Sequence, residues 1–317
     1  MMTRLKSIRL CRPGWMSAIF VLATAGCSLP PAGFYEIKAE EKIEFVRRDD
    51  GPLVMDIYTP VGGPSTRPAI VLYHGGGWKV NNRSEDRAMS KFLASMGYTA
   101  ATADYRLCKD DGPHYPIPVQ DALAAVKFMR SHAADYGVDP ARIAVGGDSA
   151  GGELALLVGL VKDHSIFKDD SYPGVSSEVA AVINMYGPTD LTALSELNPY
   201  LRSIGHVYIG GWLKDHREAY REASPIAHVR GDGPPVLTVH GDRDIVVPFN
   251  QAVALHEAIL KAGGRSQLVR IHGANHNWVP HFNTPASLRA LPVVVQFLNR
   301  VFPQAADAGY PTEGNRL

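Results

Sequence analysis

Residues 142–162 constrain the fold more than any other stretch. Arg142-Ile-Ala-Val-Gly146 reads as a short buried strand, and 150–162, a run of small residues and leucines, as a buried helix. Between them lies Gly147-Asp148-Ser149-Ala150-Gly151, with Ser149 at the junction. Flanking glycines let the chain turn sharply without Cβ clashes and leave the serine hydroxyl exposed. The helix beginning at Ala150 favours negative charge near its N-terminus. A serine here also suits a plain helix N-cap, but two further motifs agree on something more than a cap.

Short apolar runs alternate with helix-like stretches along the chain. Strands are expected at 42–46, 53–58, 69–73, 99–105, 143–146, 181–185, 236–239 and 267–271. The first two flank the turn signal Asp49-Asp50-Gly51-Pro52 and form an antiparallel hairpin. Helices are expected at 84–96, 119–134, 150–162, 250–262 and 287–301, with Pro292 marking a start or kink in the last. Such alternation gives an α/β fold, a mostly parallel central sheet with helices on both faces. The pattern breaks at 190–224, where aromatics and scattered charges indicate a small helical cap insertion.

The second motif, His74-Gly75-Gly76-Gly77-Trp78, follows the strand at 69–73. Consecutive glycines let backbone N–H groups approach a ligand closely, as acyl transfer requires at the oxygen that turns negative. The Gly76, Gly77 and Ala150 N–H groups are the expected oxyanion hole, with His74 orienting the loop. The third motif, His240-Gly241-Asp242-Arg243-Asp244, leaves the end of the strand at 236–239, and Gly273-Ala274-Asn275-His276 follows the last strand. Functional groups of parallel sheets gather at these strand ends. Ser149 needs a base to become a nucleophile. His276 is preferred over His272, because the glycine-containing loop can present it outward. Asp242 and Asp244 both suit the acid that orients the base, and Asp244, further out on its loop, is preferred. His272 and His276 as a metal pair lack a third ligand at suitable spacing. The site as read needs no metal and no cofactor.

Jointly, the motifs at 74–78, 104–107 (Asp-Tyr-Arg-Leu), 147–152, 224–226 and 240–248, with Asp56-Ile-Tyr-x-Pro60 ahead of them, are highly specific. Over about residues 40–300 the chain resembles α/β-hydrolase carboxylesterases, of the acetyl-esterase and feruloyl-esterase-like branch related to hormone-sensitive lipase. The resemblance implies the α/β-hydrolase fold and carboxylic-ester hydrolysis by Ser149, Asp244 and His276. It also implies the hole at Gly76, Gly77 and Ala150. The chain departs from the resemblance in two places. Asp244-Ile-Val-Val-Pro248 replaces the usual Asp-Pro-Leu, which places the chain nearer the smaller-capped esterases. Asn81 stands where glycine is usual, and asparagine tolerates left-handed backbone angles. A short cap predicts a partly open pocket for short acyl or small aromatic acyl esters, with Trp78, Tyr186 and Trp212 as candidate walls or core residues. An arylformamidase with the same loop and triad is the enzymatic alternative. A catalytically inactive, lipid-anchored binding protein is the non-enzymatic one.

Composition enters at the N-terminus. The 32 basic and 32 acidic residues balance, which excludes the basic footprint of a nucleic-acid binder. The balance is uneven along the chain. Residues 1–26 carry Arg4, Lys6, Arg9 and Arg12 and no acid, leaving 28 bases against 32 acids in the rest. A basic stretch followed by an apolar run shorter than the ~20 residues a membrane span takes reads as a signal peptide over 1–26. Small residues ahead of Cys27 resemble a bacterial lipobox. Cys27 is therefore the expected lipidated residue, anchoring an exported protein to a membrane on its periplasmic or outer side; a simply cleaved signal is the alternative. A linker at 27–40, the hydrolase domain at 41–303 and a tail at 304–317 complete the expected layout. Cys108, left over, has no internal disulfide partner and is given no chemistry.

Overall fold

The computed structural model describes residues 34–197, 199–279 and 284–303. The expected signal segment, Cys27 and the tail lie outside them. β1 (Ile37–Arg48) and β2 (Gly51–Pro60) pair antiparallel around the Asp49-Asp50 turn. β1 starts inside the segment expected as linker, with Lys38 opposite Thr59 and Glu40 opposite Ile57. The charged residues Lys38, Glu40 and Glu41 mask its first half from an apolar-pattern reading, which places the strand at 42–46, since an edge strand carries charge without cost to the core.

Strands and helices then alternate: β3 (Arg67–Tyr73), α1 (Arg87–Ser95), β4 (Thr99–Ala103), α2 (Ile117–Ser131), β5 (Val138–Asp148), α3 (Ala150–Leu160) and β6 (Ala181–Met185). Three short helices follow where the cap was expected: α4 (Leu191–Leu197), α5 (Pro199–Ile209) and α6 (Arg217–Glu222). β7 (Val236–Gly241), α7 (Phe249–Lys261), β8 (Ser266–Ile271) and α8 (Pro285–Val301) complete the series. Pro292 lies inside α8 rather than at its start; the helix is capped by Thr284, whose side chain accepts the Ser287 N–H.

Among the described residues, eight strands form one sheet in the order β1-β2-β4-β3-β5-β6-β7-β8. β1, β2 and β4 pair antiparallel and the rest parallel. β4 and β6 are buried at every position, as strands covered on both faces must be. Leu123 and Val126 of α2, Leu154 and Leu157 of α3 and Leu255 of α7 build the core on one face. Met89 and Leu93 of α1 and Leu291, Val294 and Leu298 of α8 build it on the other.

The sheet's register positions the site. Tyr73 pairs with Gly147, Asp148 with Met185, Met185 with Val239 and Gly241 with Ile271. The loops that leave β3, β5, β6, β7 and β8 therefore emerge side by side along one edge.

Candidate active site

Ser149 sits between β5 and α3 at φ 49° and ψ −119°, a conformation costly for a residue with a side chain. Tight packing enforces it. A Cβ on Gly151 would stand 1.8 Å from the Tyr73 carbonyl oxygen, and one on Gly147 would stand 2.4 Å from the Gly151 carbonyl carbon. Only glycine fits either place, so β3, β5 and α3 close to backbone contact and lift Ser149 out of the turn. Its N–H donates to the Met185 carbonyl at 2.9 Å.

Ser149 Oγ lies 2.9 Å from His276 Nε2, and His276 Nδ1 lies 2.6 Å from Asp244 Oδ2. Oδ1 of Asp244 accepts the Val246 and Val247 N–H groups at 2.9 and 2.8 Å. His240 Nε2 stands 3.3 Å from Oδ2. Burial alone would raise the Asp244 carboxyl, but the bonds from His240 and His276 outweigh it and hold the group down at about 2. It is a carboxylate near neutral pH, able to fix the tautomer of His276 and stabilise its charged form. The competing residues pair with each other: His272 Nδ1 lies 2.7 Å from Asp242 Oδ2 on the exposed side of the loop. His272 and His276 thus each hold their own aspartate.

Asn275 and Tyr186 hold the histidine loop. Asn275 Oδ1 accepts the N–H groups of Ile245 and His276, joining the acid loop to the base loop. Tyr186 presents its ring edgewise to His276 at 4.7 Å between centroids. Its hydroxyl donates to Asp148 Oδ2 and accepts the Val279 N–H, each at 3.1 Å.

The glycine loop stands beside Ser149 through the Tyr73–Gly147 pairing. Gly76 and Gly77 have φ of 124° and 58°. A Cβ on Gly76 would stand 2.3 Å from the Val80 carbonyl oxygen. The Gly76 carbonyl accepts the Lys79 and Val80 N–H groups, closing the turn. Asn81 occupies the left-handed region at φ 78° and donates from Nδ2 to the Gly75 carbonyl. Asp148 Oδ1 accepts the Gly75 N–H at 2.8 Å and anchors the loop from below. Burial pushes the Asp148 carboxyl up to about 6, against the lowering bonds from Gly75 and Tyr186. His74 is buried, stacks on Tyr105 at 4.3 Å and holds the Gly75 carbonyl through Nδ1; burial lowers it to about 4, so it is neutral. That suits an orienting residue and not a base.

The three aromatics that could be wall or core divide by burial. Tyr186 is 0% exposed and supports His276 from beneath, so it lines no open pocket. Trp78, 3% exposed, is a core residue stacked on Tyr208 at 4.0 Å, with Nε1 donating to Glu153 Oε2. Trp212 is 41% exposed and stacks on His206. Aromatic identity alone does not distinguish wall from core, because burial depends on which elements cover the ring. Glu153, one turn after Ser149, belongs to no motif in the sequence. It is buried, receives Trp78 Nε1 and the Tyr208 hydroxyl, and burial raises its carboxyl well above the usual range. Cys108 is a buried free thiol, pushed up to about 12 by burial, and is unreactive there.

A serine on a strand–helix elbow, a histidine and a carboxylate from later strand ends, and a glycine loop beside them define an α/β-hydrolase. The chain belongs to the BD-FAE family, whose profile matches residues 55–259. It is similar to Esterase LipC of Mycobacterium tuberculosis, 33% identical over 239 residues, 73% of this chain and 58% of that protein. The chain spans about half the length of the curated relatives it matches. Among solved structures it is similar to esterase Est2 of the planctomycete Thermogutta terrifontis, at 28% identity and TM-score 0.69, covering 89% of this chain and 95% of that one. Est2 is also solved with butyrate bound, at 28% identity and TM-score 0.69, covering 89% and 97%. A form phosphorylated by paraoxon matches at the same identity and TM-score, covering 87% and 96%.

Proposed function

We propose that the protein is a serine carboxylic-ester hydrolase for short acyl or small aromatic acyl esters. The observation that carries this reading is the continuous contact from Ser149 Oγ through His276 to the Asp244 carboxylate. His276 Nε2 takes the hydroxyl proton as Ser149 Oγ bonds to the ester carbonyl carbon. The carbonyl oxygen becomes an oxyanion, held by the N–H groups of Gly76, Gly77 and Ala150. That intermediate collapses by breaking the bond to the alcohol oxygen, which leaves with the proton from His276. Water, deprotonated in turn by His276, then attacks the acyl-enzyme and releases the acid and free Ser149. Asp244 stays ionised throughout and stabilises the imidazolium. Butyrate bound in Est2 supports the preference for short acyl groups.

The test is turnover of short p-nitrophenyl esters together with fluorophosphonate labelling. The parent protein should turn over acetate or butyrate esters and label at Ser149. Ser149→Ala should lose the label and about six orders of magnitude in kcat. A folded parent protein that takes no label defeats the reading. Faster turnover of N-formylkynurenine than of any ester replaces it with the arylformamidase.

We also propose export and anchoring through a lipid on Cys27, supported by the basic and apolar segments ahead of it. Mass spectrometry of the protein from a bacterial membrane fraction should find diacylglycerol on an N-terminal Cys27. An unmodified N-terminal Cys27 overturns this.

A further inference from the structure

The cap is keyed to the glycine loop at one place. Tyr208 of α5 stacks flat on Trp78, the residue after Gly77, with ring centroids 4.0 Å apart and an interplanar angle of 2°. The Tyr208 hydroxyl and Trp78 Nε1 converge on the buried Glu153 carboxyl, at 3.0 and 3.1 Å. The α5 backbone is fastened too. The Tyr208 carbonyl accepts the Tyr115 N–H at 2.7 Å, and the Val207 carbonyl lies 2.7 Å from His114 Nδ1. One turn earlier on α5 stands Ile204, on the same helix face as Tyr208. Its Cγ2 and Cδ1 are 3.5 and 3.6 Å from where a Cβ on Gly77 would be. Ile204 is half-buried and packs against the core that holds Trp78. An aliphatic side chain on an anchored helix thus roofs the glycine that the proposed mechanism uses to hold the oxyanion.

The strand order says which half of an ester meets that roof. Ser149 leaves β5; the glycine loop leaves β3 on one side of it, and His276 follows β8 at the far end of the other side. The departing alcohol oxygen must stay within reach of His276 Nε2, because it takes its proton there. The carbonyl oxygen points at the Gly76 and Gly77 N–H groups, so the acyl group, the remaining substituent of the same carbon, is placed on the side of Ser149 away from His276, where Ile204 of α5 overhangs the glycine loop. We propose that Ile204 sets the acyl-chain length limit of this site. This rests on the ester-hydrolase reading above. Because Glu153 and Tyr208 hold α5 in place, the roof resists displacement by a longer chain. A pocket of this kind discriminates by size, at about tenfold or more per methylene that does not fit.

The experiment compares the parent protein, Ile204→Ala and Ile204→Trp on p-nitrophenyl esters from acetate to octanoate. A second series uses acetate esters of alcohols from methanol to octanol. Each protein is labelled with a fluorophosphonate to count competent Ser149. Ile204→Ala should raise the octanoate-to-acetate ratio of kcat/KM at least about tenfold, and Ile204→Trp should lower the butyrate-to-acetate ratio by a similar factor. The alcohol series should keep its parent profile in both. A shift in the alcohol series instead overturns the acyl assignment. Unchanged acyl profiles in both variants, with Ser149 labelling at the parent level, overturn the role of Ile204 and leave the ester-hydrolase reading standing. A parent protein that neither labels nor hydrolyses esters removes both.

Discussion

Asp242 and Asp244 stand two residues apart on one loop yet hold different histidines. Asp244 faces inward, where two backbone N–H groups and His276 consume its lone pairs; Asp242 faces outward, to His272 and the Gly273 N–H. The proposed mechanism therefore assigns the two different consequences. Asp244→Asn should lower kcat/KM on short esters by about four orders of magnitude, since the amide favours the wrong tautomer of His276. Asp242→Asn should change it by less than tenfold. Steady-state kinetics of the two variants checks this, and the reverse ranking would make Asp242 the acid. The order Ser149, then Asp, then His276 was legible in the sequence because it follows the strand ends. The choice between aspartates was weaker there, because side-chain direction within a turn is set by contacts with distant loops.

At the scale of elements, the elbow depends on backbone contact between β3 and α3. Gly151→Ala places a methyl group 1.8 Å from the Tyr73 carbonyl oxygen. Neither neighbour is a flexible side chain, so the elements must move apart. A loss of about 3 kcal/mol or more is expected, read as a fall in Tm of about 6 °C or more. A second element-level contact is electrostatic. Asp121 of α2 is buried and bonded to Arg48 of β1 and Arg106. Asp121→Ala leaves two guanidinium groups short of a partner and should cost about 3 kcal/mol in urea unfolding. Removing Glu218 from its exposed pair with Arg221 should leave the urea midpoint nearly unchanged, because solvent screens that pair. Equal losses in the two variants would contradict the burial argument. The Asp104-Tyr105-Arg106 motif thus works largely as scaffold. Asp104 and Asp56 hold Arg83, Tyr105 holds the His74 carbonyl and Arg106 holds Asp121.

For the whole molecule, buried carboxyls shape stability against pH in two directions. Asp148 binds its proton up to about pH 6 in the folded chain, against an ordinary value of 3.8. Between these values the folded chain holds a proton that the unfolded chain has released, so stability falls as pH rises through the window and levels off above it. Asp244, held at about 2, contributes stability that is full above about pH 4 and is lost as pH falls towards 2. Urea unfolding of Asp148→Asn at about pH 4.5 and about pH 7 should show a smaller fall than the parent protein. An equally steep fall would mean that another group carries the dependence.

The succession of strands and helices, the serine elbow, the glycine loop and the chain order of the reacting groups are legible in the residues alone. These rest on local physics: apolar period, turn chemistry and the backbone freedom of glycine. Packing places β4 between β2 and β3, turns Asp244, the aspartate preferred from the sequence, onto His276, and makes Tyr186 and Trp78 support rather than wall. It alone brought Glu153 and Ile204 to the glycine loop. Those outcomes depend on burial and on contacts between residues far apart in the chain, which no local pattern encodes.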